Sequence, residues 1–298
     1  MGSARRVLER IIAEKGQVMI LVTGATGTVG REAIDVLRGS GAEVAAVTRD
    51  PSTSALPDGV HVVGADPSKP QTLSSALDGV EAVLLSPRAV SGATAELLSM
   101  AADRGGERVV VLSAATVEHP VGQRRFVEQF ELAEEAVKAS GLAWTLLRSA
   151  DFAANALAWA PQIRATGVVR GAYGDAATSP IHQRDIATVA ADALLNAGHE
   201  GRSYVLTGPQ SLNQYDKVRL IGQALGRELS FAEMPPEQVR QGMLAQGLPE
   251  EVPDRLLGSL ADYALKPGPT TDVVQRLLGR PALSFAEWAS ENAAAFRN

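Results

Sequence analysis

The sequence predicts an α/β protein: a doubly wound parallel sheet followed by a smaller, mostly helical C-terminal lobe. Three observations carry that reading. Short, apolar, β-branched runs alternate with helix-length amphipathic stretches from residue 18 to residue 149, which is the pattern of repeated βαβ units. The first run ends in a glycine-spaced turn, "VTGATGTVG", that leads straight into a helical stretch. After residue 155 the alternation loosens and helical periodicity dominates.

The first run, "VMILVTG" at 18–24, is short, apolar and closed by glycine, as suits a strand buried on both faces. Residues 28–39 follow as a helix with Val29, Ala33, Val36 and Leu37 on one face. "AEVAAVT" at 42–48 is a second strand, "GVHVVGAD" at 59–66 a third, and "PQTLSSALDG" at 70–79 a short helix. "VEAVLLSP" at 80–87 is a fourth strand and 93–104 a helix. "RVVVLSA" at 108–114 is a fifth strand, 123–140 a long helix and "AWTLLRS" at 143–149 a sixth strand. Later, "PIHQRDIATVAADALLNAG" holds a helix striped by Ile186, Val189, Ala190, Ala193 and Leu194. "RSYVLTG" is a strand, "NQYDKVRLIGQALGR" a helix and "ELSFAEMP" a strand, and the remainder is mostly helical. The expected organisation is an extension over 1–18, a sheet domain over 19–155 and a smaller lobe over 156–298 that shares one or two strands with the sheet. The extension, native or appended with Met19 as an alternative start, reads as an amphipathic helix through Val7, Leu8, Ile11 and Ile12. It lacks the apolar run and small-residue cleavage site of a signal peptide.

Composition narrows the function. The 298 residues are 45% hydrophobic and 21% charged, ordinary for a globular chain with a large core. The net charge of −6 gives no basic footprint for nucleic acid. Cysteine is absent, which removes disulfides, thiolate catalysis and Cys-ligated metals. His61, His119, His182 and His199 show no H-x-x-x-H spacing, so no zinc site is expected. No stretch approaches the ~18 consecutive apolar residues of a membrane span. The expectation is a cytoplasmic monomer or homodimer acting on a small molecule, with no nucleic-acid or membrane partner.

Right-handed βαβ units place ligands outside the carboxyl ends of the strands. That rule selects 24–30, Thr48 and Arg49, Asp66, 86–88, 113–119 and 149–155. The first of these spaces Gly24, Gly27 and Gly30 as G-x-x-G-x-x-G. Glycines permit a tight turn and close main-chain approach, and the new helix aims its first N–H groups at a pyrophosphate. Thr26 and Thr28 add hydroxyls, and Val29 lies in the same first turn. A strand before and a helix after supply the context a dinucleotide site needs. The second strand ends "AAVTRDP". An acidic residue there would take a ribose 2′-hydroxyl, whereas an arginine suits a 2′-phosphate. Arg49 comes first and Asp50 second, so NADP(H) is preferred over NAD(H); the alternative for Arg49 is a solvated loop charge. Asp66 reads either as an acceptor for the adenine amino group or as a turn former before Pro67. Ser86, Pro87 and Arg88 close the fourth strand, where the middle of the dinucleotide is expected to pass.

With those residues placed, the chain resembles the NmrA-like group of atypical short-chain dehydrogenases. The resemblance rests on "VTGATGTVG", "VTRDP", "ADPSKPQTLSSALDGVEAVLLSP", "VVVLSA", "AEEAVKASGLAWTLLRSADFAANAL", "PIHQRDIATVAADAL" and "YVLTGP". It covers most of 19–209, and more loosely "FAEWASENAAAF". It implies a Rossmann-type domain, an NADP(H) site and a C-terminal substrate lobe. The group includes NADPH-dependent quinone reductases, isoflavone-reductase-like enzymes and redox sensors that bind the cofactor without turnover.

The departures bear on chemistry. Short-chain dehydrogenases typically carry a Ser after the fifth strand and Tyr-x-x-x-Lys on the next helix. Here Ser113 stands at the Ser position, but the expected dyad window reads Phe126-x-x-x-Phe130. Phenylalanine supplies neither proton nor charge. Phe126, Phe130, Ala133 and Val137 read as a core stripe, with an apolar wall beside the nicotinamide as the other reading. Glu134 matches an acidic position of the group and reads as a tie between helix and sheet.

The expected function is an NADPH-dependent reductase of a quinone, enone or similar small apolar carbonyl compound. Positioning supplies much of the acceleration of hydride transfer, and the reduced oxygen of such acceptors is a stable phenolate or enolate that water can protonate. Ser113 and His119 are the candidate catalytic residues, beside Thr116, and a histidine titrates near neutrality. Phe152 and Asn155, in the family's "F-x-x-N", and Trp159 are the candidate substrate residues. Trp159, Tyr173 and Met243 read as pocket walls or as core. Asp185 is expected to cap its helix and His182 to reach the site mouth. Two alternatives stand: a non-catalytic NADP(H) redox sensor, and a dehydratase, isomerase or cyclase on the same scaffold.

Overall fold

The computed structural model describes residues 18–297. The amphipathic helix expected through Val7 and Ile12 lies outside them. Seven strands form one sheet in the order β3-β2-β1-β4-β5-β6-β8, a Rossmann-like α/β arrangement in which the order reverses between β1 and β4. The strands are β1 Met19–Val22, β2 Glu43–Thr48, β3 His61–Gly64, β4 Ala82–Leu85, β5 Arg108–Ala114, β6 Ala143–Ser149 and β8 Arg202–Leu206. β1 runs parallel to β2 and β4, β2 to β3, and β4 to β5. In register, Ile20 sits between Val44 and Ala82.

The helices expected between the first six strands form, with two adjustments. Helix α1, Thr28–Gly39, buries Val29, Gly30, Ala33, Ile34 and Leu37. Its stripe centres on Leu37, so Ile34 replaces the expected Val36, which lies about 100° off that centre. Residues 70–79 form two 3₁₀ turns, Pro70–Leu73 and Ser75–Leu77, instead of a helix. The span is too short, and too closely bounded by Pro70 and Gly79, to repeat the α-helical bond. α2 is Pro87–Val90, α3 Thr94–Ala102 and α4 Arg125–Lys138.

Past β6 come a 3₁₀ turn at Ala153–Trp159, α5 Ala160–Thr166, β7 Val168–Gly171, α6 Gln183–Leu195, β8, α7 Gln214–Leu225 and β9 Ser230–Glu233. α8 Pro236–Ala245, α9 Glu251–Leu265, α10 Val273–Leu278 and α11 Phe285–Glu291 complete the chain. β7 was not expected. It is only four residues long and pairs in parallel with β9 as a separate two-stranded sheet. One C-terminal strand, β8, does join the large sheet.

The chain divides into two compact units. Unit one runs to Ser113 and adds Phe130–Leu147 and Ala187–Ser203; unit two holds Ala114–Gln129, Arg148–Ile186 and everything from Tyr204 onward. Unit one is packed around Leu21, Val83, Leu85, Val109, Val111 and Leu146. Unit two is packed around Ile163, Ile221, Phe285, Trp288 and Phe296. Asn213 caps α7 by accepting from the Asp216 N–H, and Gly226 ends it with a left-handed φ of +67°. A capping box, Ser284 with Glu287, starts α11.

Trp288 is 0% exposed, stacks on Phe285 at 5.2 Å between ring centroids and meets Phe296 edge-on at 6.2 Å. Its indole N–H has no hydrogen-bond partner. Trp288→Ala is therefore expected to cost about 3–5 kcal/mol in denaturant titration. Trp288→Phe is expected to cost clearly less, because it keeps most of the ring and removes a buried unpaired donor. Equal losses for the two variants would contradict the packing account.

Candidate functional site

The order reversal in the sheet brings the ends of β1 and β4 side by side. Thr23 stitches them: its hydroxyl donates to the Leu84 carbonyl at 3.2 Å and accepts from the Ser86 N–H at 2.8 Å. The chain then turns at Gly24, whose φ of +67° is left-handed and whose missing Cβ would stand 3.0 Å from the Ser86 Cβ. The Gly27 N–H closes the turn on the Gly24 carbonyl at 2.9 Å. At Gly30 a Cβ would stand 2.2 Å from that same carbonyl oxygen, so a side chain there cannot be accommodated without moving the main chain. Gly27 is the N-cap of α1, supplies no capping side chain, and is followed by a first turn without an acidic residue. The first N–H groups and the positive end of the helix dipole thus carry no anionic side chain of their own. Thr26, Gly27 and Thr28 are exposed, while Val29 anchors the helix in the core and offers only main chain.

Arg31, which the sequence reading passed over, locks the next loop to this turn. Its Nε donates to the Thr26 carbonyl at 3.1 Å, and its two terminal nitrogens donate to Ala55 at 3.0 Å and Ser54 at 2.8 Å. The signal was present as an arginine directly after the last glycine. In that loop Asp50 is committed locally. Its Oδ1 accepts from the Ser52 hydroxyl at 2.6 Å and the Ser52 N–H at 3.1 Å, capping the 3₁₀ turn Pro51–Thr53. Hydrogen bonds from Ser52 and Thr53 hold its carboxyl below the usual carboxylate range. The neighbouring Arg49 is exposed. Asp66 is a turn former: its Oδ1 accepts from the Ser68 hydroxyl at 2.7 Å and N–H at 3.1 Å, and these bonds lower its pKa, with Lys69 and Arg49 adding to the effect. Pro87 is buried at the start of α2, and the exposed Arg88 lies 6.0 Å over the buried Phe130 ring.

Ser113 is buried, and its hydroxyl donates to Glu134 at 2.7 Å; Lys138 stands 3.6 Å from the other carboxylate oxygen. Glu134 is thus the tie between α4 and β5. Phe130, Ala133 and Val137 are buried as the stripe requires. Phe126 is half-buried under the Arg125 guanidinium, 4.6 Å away.

In unit two, His119 is exposed and lies 3.9 Å from Glu118, which pairs with Arg148 at 2.8 Å. Thr116 is half-buried. Phe152 starts the 3₁₀ turn Ala153–Trp159, and Trp159 packs against the Trp288 core. Tyr173 and Met243 are half-buried. His182 does not stand open to solvent. It is 0% exposed, its Nδ1 accepts from the Arg184 N–H at 3.1 Å, and its Nε2 faces Glu291 at 3.3 Å. It therefore caps α6, the role expected of Asp185. Asp185 instead reaches away from its helix, to Arg280 and the Leu283 N–H, both at 2.7 Å.

Asn155 belongs to a cluster the sequence reading missed. Its Nδ2 donates to Asp151 Oδ1 at 2.8 Å. Asp151 Oδ2 accepts from Lys217 at 3.0 Å and from Thr178 at 2.8 Å, and Lys217 also donates to Thr178 at 2.8 Å. Burial pulls the Asp151 carboxyl upward, but Lys217, Asn155 and Thr178 together outweigh it and leave it below the usual range. Tyr263 is pushed up to about 12 by burial and the nearby Asp151 charge. One clue was legible: Lys217 interrupts the apolar stripe of α7 beside Val218 and Ile221.

A cleft of about 360 Å³, lined by Met19, Arg38, Glu43 and His61, lies at the amino ends of β1 and β2, the wrong end for a ligand of this fold. Among the described residues, no helix is long and apolar enough to cross a membrane, and no His, Asp and Glu group could hold a metal.

A family profile described as NAD(P)H-binding matches residues 24–197. The chain is 36% identical over 279 residues to the (4-alkanoyl-5-oxo-2,5-dihydrofuran-3-yl)methyl phosphate reductase of Streptomyces griseus, spanning 93% of this chain and 99% of the relative. It is 35% identical over 291 residues to the NAD(P)H azoreductase of Xenophilus azovorans, spanning 93% and 99%. The crystal structure of an NADPH-dependent quinone oxidoreductase from Escherichia coli superposes with a TM-score of 0.79 at 27% identity, over 92% of this chain and 99% of the other. That enzyme complexed with NADPH gives 0.77 at 26% identity, with the same coverage. With the glycine turn at a sheet reversal and these whole-length similarities, the chain belongs to the NAD(P)H-binding family of that profile, within the NmrA-like atypical short-chain dehydrogenases/reductases.

Proposed function

We propose that the chain is an NADPH-dependent reductase of a small conjugated carbonyl compound, a quinone or an enone. The observation that carries the cofactor half is the cradle itself. Gly24 and Gly30 leave no room for side chains where the main chain must come close, and an uncapped helix start follows, which fits a diphosphate. Main-chain N–H groups of 28–30, with the hydroxyls of Thr26 and Thr28, hold that bridge. The preference for NADPH rests on the loop after β2. Asp50 is spent on its own turn, while the exposed Arg49 is placed for a 2′-phosphate by its position after the strand. Ser86, Pro87 and Arg88 flank the middle of the dinucleotide, and Asp66 shapes its loop.

When bound, NADPH supplies the hydride. The chain's own work is to orient the acceptor, and Phe152, Asn155 and Trp159 are the residues proposed for it. Ser113 is committed to Glu134, so the proton on the reduced oxygen comes from water. By their names, three relatives reduce a quinone, an azo compound and a phosphate ester that carries an alkanoyl dihydrofuranone. A quinone, an azo group and an alkanoyl dihydrofuranone each contain a conjugated π-system that accepts reducing equivalents.

Two predictions test this. Calorimetric titration should show NADPH binding, and Arg49→Ala should weaken it at least ~10-fold, about 1.4 kcal/mol, with NADH affinity changed less than ~2-fold. Equal losses for both cofactors would remove Arg49 as the phosphate reader. NADPH should be consumed in the presence of a panel of quinones and enones, and His119→Ala should leave that rate within ~2-fold. A fall of ~10²-fold or more would make His119 the general acid, and tight NADPH binding without consumption by any acceptor would favour the redox-sensor reading.

A further inference from the structure

We propose that Asp151, Lys217 and Thr178 are positioning residues that lock the Asn155 amide as a neutral contact for the acceptor's oxygen, making the site selective for uncharged acceptors. This rests on the reductase reading. Lys217 is only 4% exposed and sits on the packed face of α7. An ammonium there has to be paired, and both of its contacts lead to Asp151, one directly and one through Thr178. Thr178 is itself fixed by a two-way main-chain pairing with Leu212, at 3.1 and 2.8 Å.

The carboxylate is divided. Oδ2 takes the lysine and the threonine, while Oδ1 takes Asn155, an exposed residue. A pair that served only to hold α7 would not need that last bond, and an apolar pair of similar volume would hold the helix without the desolvation cost. What the bond achieves is orientation. A carboxylate only accepts, so the asparagine must present Nδ2 to it, and its Oδ1 and second N–H are held facing outward. A preoriented amide loses little freedom when it meets a ligand. The cluster is also neutral overall, since Lys217 and Asp151 cancel and Tyr263 stays an uncharged phenol. Such a surface suits a carbonyl or hydroxyl oxygen and offers no net cation to a phosphate, sulfonate or carboxylate.

The test combines spectroscopy and kinetics on the full chain. The Asn155 side-chain amide signals are identified in a ¹⁵N correlation spectrum by their loss in Asn155→Ala. Lys217→Met should collapse them toward the position of a free, solvated amide, Lys217→Arg should largely preserve them, and Thr178→Val should give a partial collapse. Menadione should shift them in the wild-type protein. In steady-state assays Lys217→Met should raise the KM for menadione about 10-fold, with kcat and the NADPH dissociation constant within ~2-fold and with rescue by Lys217→Arg. Wild-type kcat/KM for menadione should exceed that for 1,2-naphthoquinone-4-sulfonate by about 10-fold or more. Unmoved Asn155 signals in folded Lys217→Met and Thr178→Val would overturn the proposal. So would equal use of the sulfonated quinone. A wild-type protein that consumes no NADPH would defeat the reductase reading instead, and the response of the Asn155 signals to menadione and to Lys217→Met would still decide this one.

Discussion

The Gly24 carbonyl oxygen lies where the side chain of residue 30 would begin, and unit one is arranged around that steric fact. A Cβ at Gly30 would come within 2.2 Å of it, and one at Gly27 within 3.1 Å. α1 can therefore start immediately behind β1 only if residue 30 is glycine, and a side chain at 27 would press on the same oxygen. The same carbonyl accepts the Gly27 N–H, so the turn is closed by its own main chain and needs no side-chain cap. The three glycines thus do different things. Gly24 supplies a left-handed φ, Gly27 starts the helix without a capping side chain, and Gly30 lets the helix lie against the turn. What results is a tight strand-to-helix corner with its first N–H groups uncovered, beside the end of β4.

The loop after β2 inherits its shape from that corner. Arg31, one residue past Gly30, ties Thr26 to Ser54 and Ala55. Ala55 sits at a φ of +46°, a region that costs a residue with a side chain, and the guanidinium bond to its carbonyl helps hold it there. Asp50 accepts from Ser52 at the surface of the same loop. Arg49 and Asp50 are thus both exposed after the second strand, and the Asp50 carboxylate is held to its own turn by Ser52.

The sheet was legible in the sequence because its signals are local. A buried parallel strand is a short apolar run, and the glycine spacing encodes the corner directly. The 3₁₀ turns over 70–77 and the four-residue β7 were not legible, since short elements take their form from neighbours and carry too few residues to show a period. The glycine corner was more legible than the Asp151 cluster for a related reason. The corner is built from one turn, 24–31. The Asp151 cluster gathers residues 151, 155, 178 and 217, whose partners lie up to 66 positions apart, and no spacing rule links them. His182 and Asp185 show the same limit at short range. Either could cap α6, and only the tertiary contacts of Asp185 with Arg280 and Leu283 settle which one is free to do so.

The placement of α4 constrains the chemistry further. Its inner face is Val127, Phe130, Ala133, Glu134 and Val137, so one polar side chain lies among four apolar ones. That side chain is occupied, since Glu134 receives the Ser113 hydroxyl and stands by Lys138. A carboxylate that must accept from a buried serine cannot give that bond up cheaply, because the donor would be left unpaired in the interior. Ser113, Glu134 and Lys138 therefore form a structural chain between sheet and helix, and the phenylalanines at 126 and 130 offer no transferable proton. On the proposed reading, the acceptor would need orientation more than an acid, and the Asn155 amide is the group proposed to supply it.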